Sequence, residues 1–404
     1  MAKKREFDLV LWGASGFTGA LVAEVLQRRC HEEGVRWALG GRNEKKLSAV
    51  RERIGAPDLP LILGDGEDAE SLAAMAGSTR VVCTTVGPYA KYGSKLVEAC
   101  VEAGTDYCDL TGEVHWIRQM IDAHETTARE TGARIVPTCG FDSIPSDIGV
   151  FAVQGEMRRR YDVLSPFVRC GVADFKGGLS GGTLASMLNM METAGKDRSV
   201  RRLMADPYAL DPEGTPEGKD SRDQAGPRYD GALGEWTAPF VMAAINTRVV
   251  RRSKVLLEYG DDFRYEESML MGSGPFGAAR AASVSAGMGA GVGALAVPPL
   301  RWMAMFWLPE PGEGPTPEQQ RNGFWELRFH ADGPEDVPSL DAKLTGDRDP
   351  GYGSTSKMLA ESALSLAVDS PIVEGGFWTP ASGLGQQLLD RLTGHAGLAF
   401  EVLD

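Results

Sequence analysis

Three evenly spaced glycines carry the most direct chemical meaning in this chain. Gly13, Gly16 and Gly19 lie in "GASGFTG", immediately after the apolar run "FDLVLW". Such a run reads as a parallel strand buried on both faces, and the spacing beyond it predicts a helix from about Phe17 to Arg29. In a strand–turn–helix unit the first glycine permits the turn, and the second lets backbone amides approach a pyrophosphate. The third lets the helix pack close on the sheet. The helix would aim its positive end at the phosphates, with the hydroxyls of Ser15 and Thr18 beside it. A Gly-rich turn with no ligand has the same local look. Position favours a dinucleotide site, because the motif follows a strand and opens a helix.

The next strand end bears on which dinucleotide is bound. A strand over Val35 to Leu39 runs into Gly40-Gly41-Arg42-Asn43, with Lys45 and Lys46 just beyond and no acid before Glu44. An acid at this place holds a ribose 2′-hydroxyl, whereas a cation accommodates a 2′-phosphate. The expectation is therefore NADPH, with Arg42 facing the phosphate and Asn43 and Lys46 as weaker candidates. Taken without the glycines, Arg42 would read as a solvated loop charge.

The elements that must position these residues alternate to about residue 150. Further strands are expected over Leu59 to Leu63, Arg80 to Thr85, Tyr107 to Leu110 and Ala133 to Thr138, with helices over Lys95 to Ala103 and Val114 to Thr131. This is the rhythm of an α/β fold with a doubly wound parallel sheet, whose ligands lie beyond the carboxyl ends of its strands. Three strand-end loops are rich in candidates: "TVGPYAKYG", "DLTGEVHW" and "CGFDSIPSD". Thr85, Val86, Gly87 and Pro88 would wall the nicotinamide half. Tyr89 is the first choice of proton donor and Tyr92 the second. Cys139 would face the cofactor from the opposite side, and the backbone amides from Cys139 to Ser143 could polarise an oxygen. Asp142 and Ser143 complete the catalytic candidates. Asp109, Glu113, Asp142 and Asp147 also read as N-caps of the helices that follow them.

Several other chemistries lack their signatures. His124-Glu125 has no second histidine for H-E-x-x-H, so no metal site is expected, and Ser143 lacks the following glycine of a nucleophile elbow. A net charge of −14 argues against a nucleic-acid partner. The basic pairs Arg28-Arg29 and Arg251-Arg252 read as solvated element ends.

Taken in order, G-A-S-G-F-T-G, G-G-R-N-x-x-K-L, T-V-G-P-Y-x-x-Y-G, D-L-T-G-E and C-G-F-D-S-I-P-S-D resemble the saccharopine dehydrogenase-like oxidoreductase family. Within that family they are similar to the branch of trans-acting enoyl reductases. The resemblance resumes in "GDRDPGYGSTSKMLAESALSLA" and "GGFWTPASGLGQQLLDRL". It implies an NADP-binding Rossmann domain over 1–150, an inserted mixed α/β domain for substrate or dimerisation over 151–350, and C-terminal helices over 351–404 that pack back on the Rossmann domain. It also implies an NADPH-dependent reductase of a C=C bond in a hydrophobic acyl or polyketide thioester, with a carrier protein as one way to deliver it. A saccharopine-type enzyme working on a C–N bond is the alternative, with Arg169, Arg248 and Arg264 available to clamp carboxylates. A non-enzymatic NADPH-binding protein associated with lipid is the third reading.

At 404 residues, 43% of them hydrophobic, the chain is long enough for two domains. Its six cysteines form no C-x-x-C pair and the N-terminus has no apolar core, so a reducing, cytoplasmic setting is expected. Residues 206–231 and 308–323 read as long exposed loops. The Gly/Ala-rich stretch 281–308 carries no charge over its first twenty residues. It reads as a helix packed in the protein or at a homodimer interface, or as a lid or tunnel for an acyl chain, with Trp302, Met303, Phe306 and Trp307 touching lipid or a membrane surface. A true membrane span is the remaining reading.

Overall fold

The computed structural model describes residues 5–177, 181–220, 222–296, 314–369 and 373–403. Short apolar segments build its first sheet: β1 (Phe7–Trp12), β2 (Trp37–Gly41), β3 (Leu61–Leu63), β4 (Thr79–Thr84), β5 (Asp106–Cys108) and β6 (Arg134–Val136). The second sheet uses longer, alternating strands: β7 (Phe167–Lys176), β8 (Arg228–Asp230), β9 (Glu235–Ala238), β10 (Arg264–Leu270), β11 (Phe324–Ala331) and β12 (Leu340–Gly346). Near the C-terminus, β13 (Gly376–Phe377) and β14 (Leu398–Leu403) add one strand to each sheet.

The first sheet is wholly parallel in the order β13-β6-β5-β4-β1-β2-β3. The order reverses between β1 and β4, so the crevice for a ligand opens there. Leu9, Leu11, Val81 and Cys83 are inaccessible on one face, and Val10 and Val82 on the other. That explains the continuous apolar runs of these strands. The second sheet is mixed, in the order β14-β12-β11-β7-β10-β9-β8.

The expected doubly wound α/β fold with a second mixed domain is present, and the differences lie at the edges. Helix Ile144–Tyr161 runs straight through residue 150, so a boundary there cuts one element. Helix Thr355–Val368 does return to the first sheet, lying against helix Phe17–Glu33 and across β4 and β5. The last strand, β14, instead pairs with β12 in the second sheet, so the C-terminal segment ties the two together.

Two arginine pairs read as solvated contain buried members. Arg29 donates to Glu361 in the core and to Glu32 and Glu33 on its own helix. Arg252 donates to the carbonyls of Leu210 and Phe377, and Arg251 to those of Pro207 and Tyr265. These bonds pin 206–231, which is therefore not an exposed loop throughout. Ala209 and Leu210 are buried. An arginine fork can satisfy backbone carbonyls inside a protein, which charge counting along the sequence does not reveal.

Helix Gly274–Ala296 covers the first part of the stretch 281–308, and residues 297–308, including Trp302, Met303, Phe306 and Trp307, lie outside the described residues. The helix is not enclosed on all sides. Gly277 and Ala281 are buried, Val284, Met288 and Leu295 are half-buried at helical spacing, and the opposite face is exposed. Among the described residues no helix is long and apolar enough to cross a membrane.

Candidate active site

The glycine turn has the geometry that close backbone approach demands. Gly13 sits at φ +84°, and a Cβ there would meet Val86 Cγ2 at 2.4 Å. A Cβ on Gly19 would lie 2.3 Å from the Gly13 carbonyl oxygen, so only glycine lets the helix start this close to β1. Gly16 is exposed and caps helix Phe17–Glu33 without a side chain, leaving the first-turn amides for a ligand. Ser15 and Thr18 flank this turn, half-exposed. At the end of β2, Arg42 and Lys46 are exposed, and no carboxylate pairs with either among the described residues. The Asn43 side chain accepts from the Lys46 amide, so it caps its own helix. Unpartnered helix-start amides and an uncommitted cation at the ends of two adjacent strands suit a dinucleotide bearing an extra phosphate.

A cleft of about 430 Å³ runs from this turn past Thr85, Gly87 and Pro88 to helix Gly181–Lys196. Thr85 donates its hydroxyl to the Gly13 carbonyl, and Val86 donates its amide to Thr84 Oγ1, which fastens this loop to the glycine turn. Beyond it, the carboxylate of Glu113 accepts from the amides of Tyr89 (2.7 Å) and Ala90 (3.1 Å) and from the Ser186 hydroxyl (2.8 Å). Glu113 therefore caps the short helix Tyr89–Tyr92 and holds helix Gly181–Lys196 over the cleft.

Several expected site residues are placed otherwise. Tyr89 is buried, with its hydroxyl donated to the Thr84 carbonyl (3.2 Å) and accepting from the Leu110 amide, and its ring rests on Trp116. Burial, then the charge of Asp109, push its phenol well above the ordinary range. It shapes the wall of the cleft, and its hydroxyl is already committed to the backbone. Ser143 is also buried, donating to Asn246 Oδ1. The Cys139 thiol lies in the core 3.3 Å from the Val136 carbonyl oxygen and lines neither the cleft nor the chamber described below. The amides of Cys139, Phe141 and Ser143 are engaged by the Asp109 carbonyl, Thr355 Oγ1 and the Gly140 carbonyl, so they do not form the expected oxyanion site. Tyr92 does line the cleft and is 47% exposed.

None of the four carboxylates caps the helix that follows it. Asp109 accepts from Thr111 and Thr138 amides and the Tyr107 hydroxyl, and so holds Thr138 at φ 65°. A β-branched residue in that region costs about 1–2 kcal/mol, which the Asp109 bonds offset. Asp147 accepts from Ser253 Oγ and the Ala381 amide. Asp142, on the loop that Thr138 launches, has no hydrogen bond or ion pair among the described residues. Desolvation, and secondarily the charge of Asp109, push its carboxyl up to about 7.

Asp142 lies on the wall between the cleft and a second chamber of about 400 Å³. That chamber is lined mostly by Val, Leu, Phe and Met, among them Val172, Phe175, Met187, Met242 and Met269. The expectations missed this methionine lining and Tyr352, whose hydroxyl accepts from the Gly181 amide and whose ring meets Phe17 edge-on at 4.8 Å. The one signal in the sequence is the amphipathic "SMLNMM" run, whose helical spacing does not by itself separate a chamber lining from ordinary core. Arg169 pairs with Asp332, Arg248 with Asp223 and Arg264 with Glu266, so none of the three is left to clamp a substrate carboxylate. Among the described residues no group of three or more His, Cys, Asp or Glu could hold a metal ion.

Comparison with known proteins agrees with this geometry. Residues 9–136 match the saccharopine dehydrogenase NADP binding domain. A Mycobacterium tuberculosis protein provisionally named a trans-acting enoyl reductase is 41% identical, across 99% of this chain and 98% of its own length. The trans-acting enoyl reductases of Mycobacterium leprae and Mycobacterium ulcerans are 39% and 37% identical, each across 96% of both chains. Among solved structures, the apo saccharopine dehydrogenase (L-Glu forming) of Saccharomyces cerevisiae shares the fold, with a TM-score of 0.54 at 11% identity over 98% of this chain and 99% of that one.

Proposed function

The chain belongs to the trans-acting enoyl reductase family, built on a saccharopine dehydrogenase NADP-binding domain, and from that premise we propose that it reduces the C=C bond of a hydrophobic acyl or polyketide thioester with NADPH. The observation that carries this reading is the place of Asp142, a carboxyl without a partner among the described residues, where the cofactor cleft meets an apolar chamber. The first-turn amides after Gly16, with Ser15 and Thr18, would hold the pyrophosphate, and Arg42 with Lys46 the 2′-phosphate. When bound, NADPH supplies two electrons and one hydrogen, which saturate the β-carbon and leave NADP⁺.

The chain's residues complete the reduction. The electron pair displaced from the double bond is taken up at the α-carbon as Asp142 delivers its proton there, and the carboxylate then regains a proton from solvent. Helix Gly181–Lys196, held down through Ser186 and Glu113, keeps bulk water from the reacting carbons. A saccharopine-type C–N reaction is disfavoured because Arg169, Arg248 and Arg264 are spent on carboxylates of the protein itself.

The relatives' description as trans-acting supports delivery of the thioester by a separate, carrier-bearing enzyme. The exposed outer face of helix Gly274–Ala296, whose single charge is Arg280, supports either a lipid surface or a second copy as its neighbour. Sedimentation with and without phospholipid vesicles separates these two. The test of function is NADPH consumption with enoyl thioesters and, alongside, saccharopine-pathway substrates. Turnover with the amino-acid substrates alone would sink the acyl reading.

A further inference from the structure

We infer that Val284, Met288 and Leu295, one stripe of helix Gly274–Ala296, set the length of acyl chain the enzyme accepts. The inference rests on the acyl-thioester reading above and adds where the hydrocarbon lies and what its far end is.

The lining of the apolar chamber takes Val172 and Phe175 from β7, Met269 from β10 and the stripe from helix Gly274–Ala296. At the rise of an α-helix the eleven residues from Val284 to Leu295 cover about 16 Å. At a carbon–carbon bond of about 1.5 Å, a zigzag chain of roughly a dozen carbons spans that distance. The three side chains therefore lie at different depths along such a chain, and bulk added at each would stop it at a different length.

The polar groups of the chamber locate its ends. Asp142 and Thr18 belong to the wall shared with the cofactor cleft. Thr355, the remaining polar side chain of the lining, donates to the Pro350 carbonyl and accepts from the Phe141 amide. Among the described lining residues no polar side chain is left to receive a terminal carboxylate, amine or hydroxyl, and burying such a group unpaired is costly. The substrate's far end is plain hydrocarbon. Four methionines among the lining residues, Met187, Met242, Met269 and Met288, give a wall that can repack around chains of differing shape.

The test does not need catalysis. Saturated acyl-CoA thioesters from butanoyl to hexadecanoyl are titrated calorimetrically into the full-length protein with NADP⁺ bound. Affinity should rise about three- to fourfold per methylene until the chamber is full, then level off. Met288→Trp and Leu295→Trp should move the levelling point to shorter chains, by different amounts, and Met288→Ala to longer ones. NADP⁺ affinity reports whether each variant is folded, and Met288→Ala alone decides the matter if the Trp variants are not. Affinity independent of length, or a levelling point that no folded variant moves, overturns the inference. Failure of every enoyl thioester to consume NADPH would instead overturn the reductase reading, because binding is measured separately.

Discussion

The glycine turn and the apolar chamber lie on either side of Asp142 and are built by opposite means. The turn is nearly contiguous, and its work is done by backbone: Gly13 at positive φ, Gly19 with no room for a Cβ, and helix-start amides without a capping side chain. The chamber is gathered from β7, β10, helix Gly181–Lys196, helix Gly274–Ala296 and the turn at Pro350, and its work is done by apolar side chains. Strict local geometry suits a cofactor of fixed shape, whereas a methionine-lined wall suits variable hydrocarbon.

The largest expected effect falls on the residue the two regions share. Asp142→Asn should lower kcat by about 10²–10⁴ with NADPH binding intact. The protonated form is the active one, so wild-type kcat/KM should be flat below pH about 7 and fall about tenfold per pH unit above it. The Asn variant should lose that limb, and a pH–rate profile of both proteins checks it. An unchanged limb would place the proton donor elsewhere, with Tyr92 next in line.

A change confined to the cofactor side should be smaller. Arg42→Ala should weaken NADPH by roughly 10- to 100-fold and leave NADH within about twofold, since only the charge-assisted bonds to the 2′-phosphate are lost. Equal weakening of both, measured by fluorescence titration, would mean that Arg42 does not read the phosphate. The smallest effect belongs to the contact over the cleft. Ser186→Ala removes one of three bonds to Glu113 and should lower kcat/KM about fivefold, with more uncoupled NADPH oxidation as water enters. Identical coupling in the two proteins would show that the helix is held by packing alone.

How much of this was legible in the sequence follows the same division. The turn, the strand order it implies and the role proposed for Arg42 all lie in short contiguous motifs, each with its own physical reason. Helix Val114–Thr131 has the bounds its sequence predicts, whereas strand ends differ by up to two residues because short parallel strands are trimmed by sheet register. The catalytic candidates fared unevenly for one reason: a sequence gives a side chain's chemistry and not its hydrogen-bond partner. Tyr89 and Ser143 have suitable hydroxyls that the fold spends on Thr84 and Asn246, whereas Asp142, which reads equally as a cap, has no partner among the described residues. The chamber was visible only in part, through the stretch 281–308, because its other walls come from segments far apart in the chain.

In the proposed reaction Asp142 protonates, and NADPH reduces, a C=C bond whose hydrocarbon tail lies in the chamber. The most direct measurement follows a medium-chain enoyl thioester with NADPH deuterated at the transferable position, in ordinary water, and locates the label in the product by mass spectrometry and NMR. The account predicts a saturated thioester with one deuteron on the β-carbon and one solvent-derived hydrogen on the α-carbon. A label found only on a carbon bonded to nitrogen, from an amino-acid substrate, or NADPH bound and never consumed by any thioester, would contradict it.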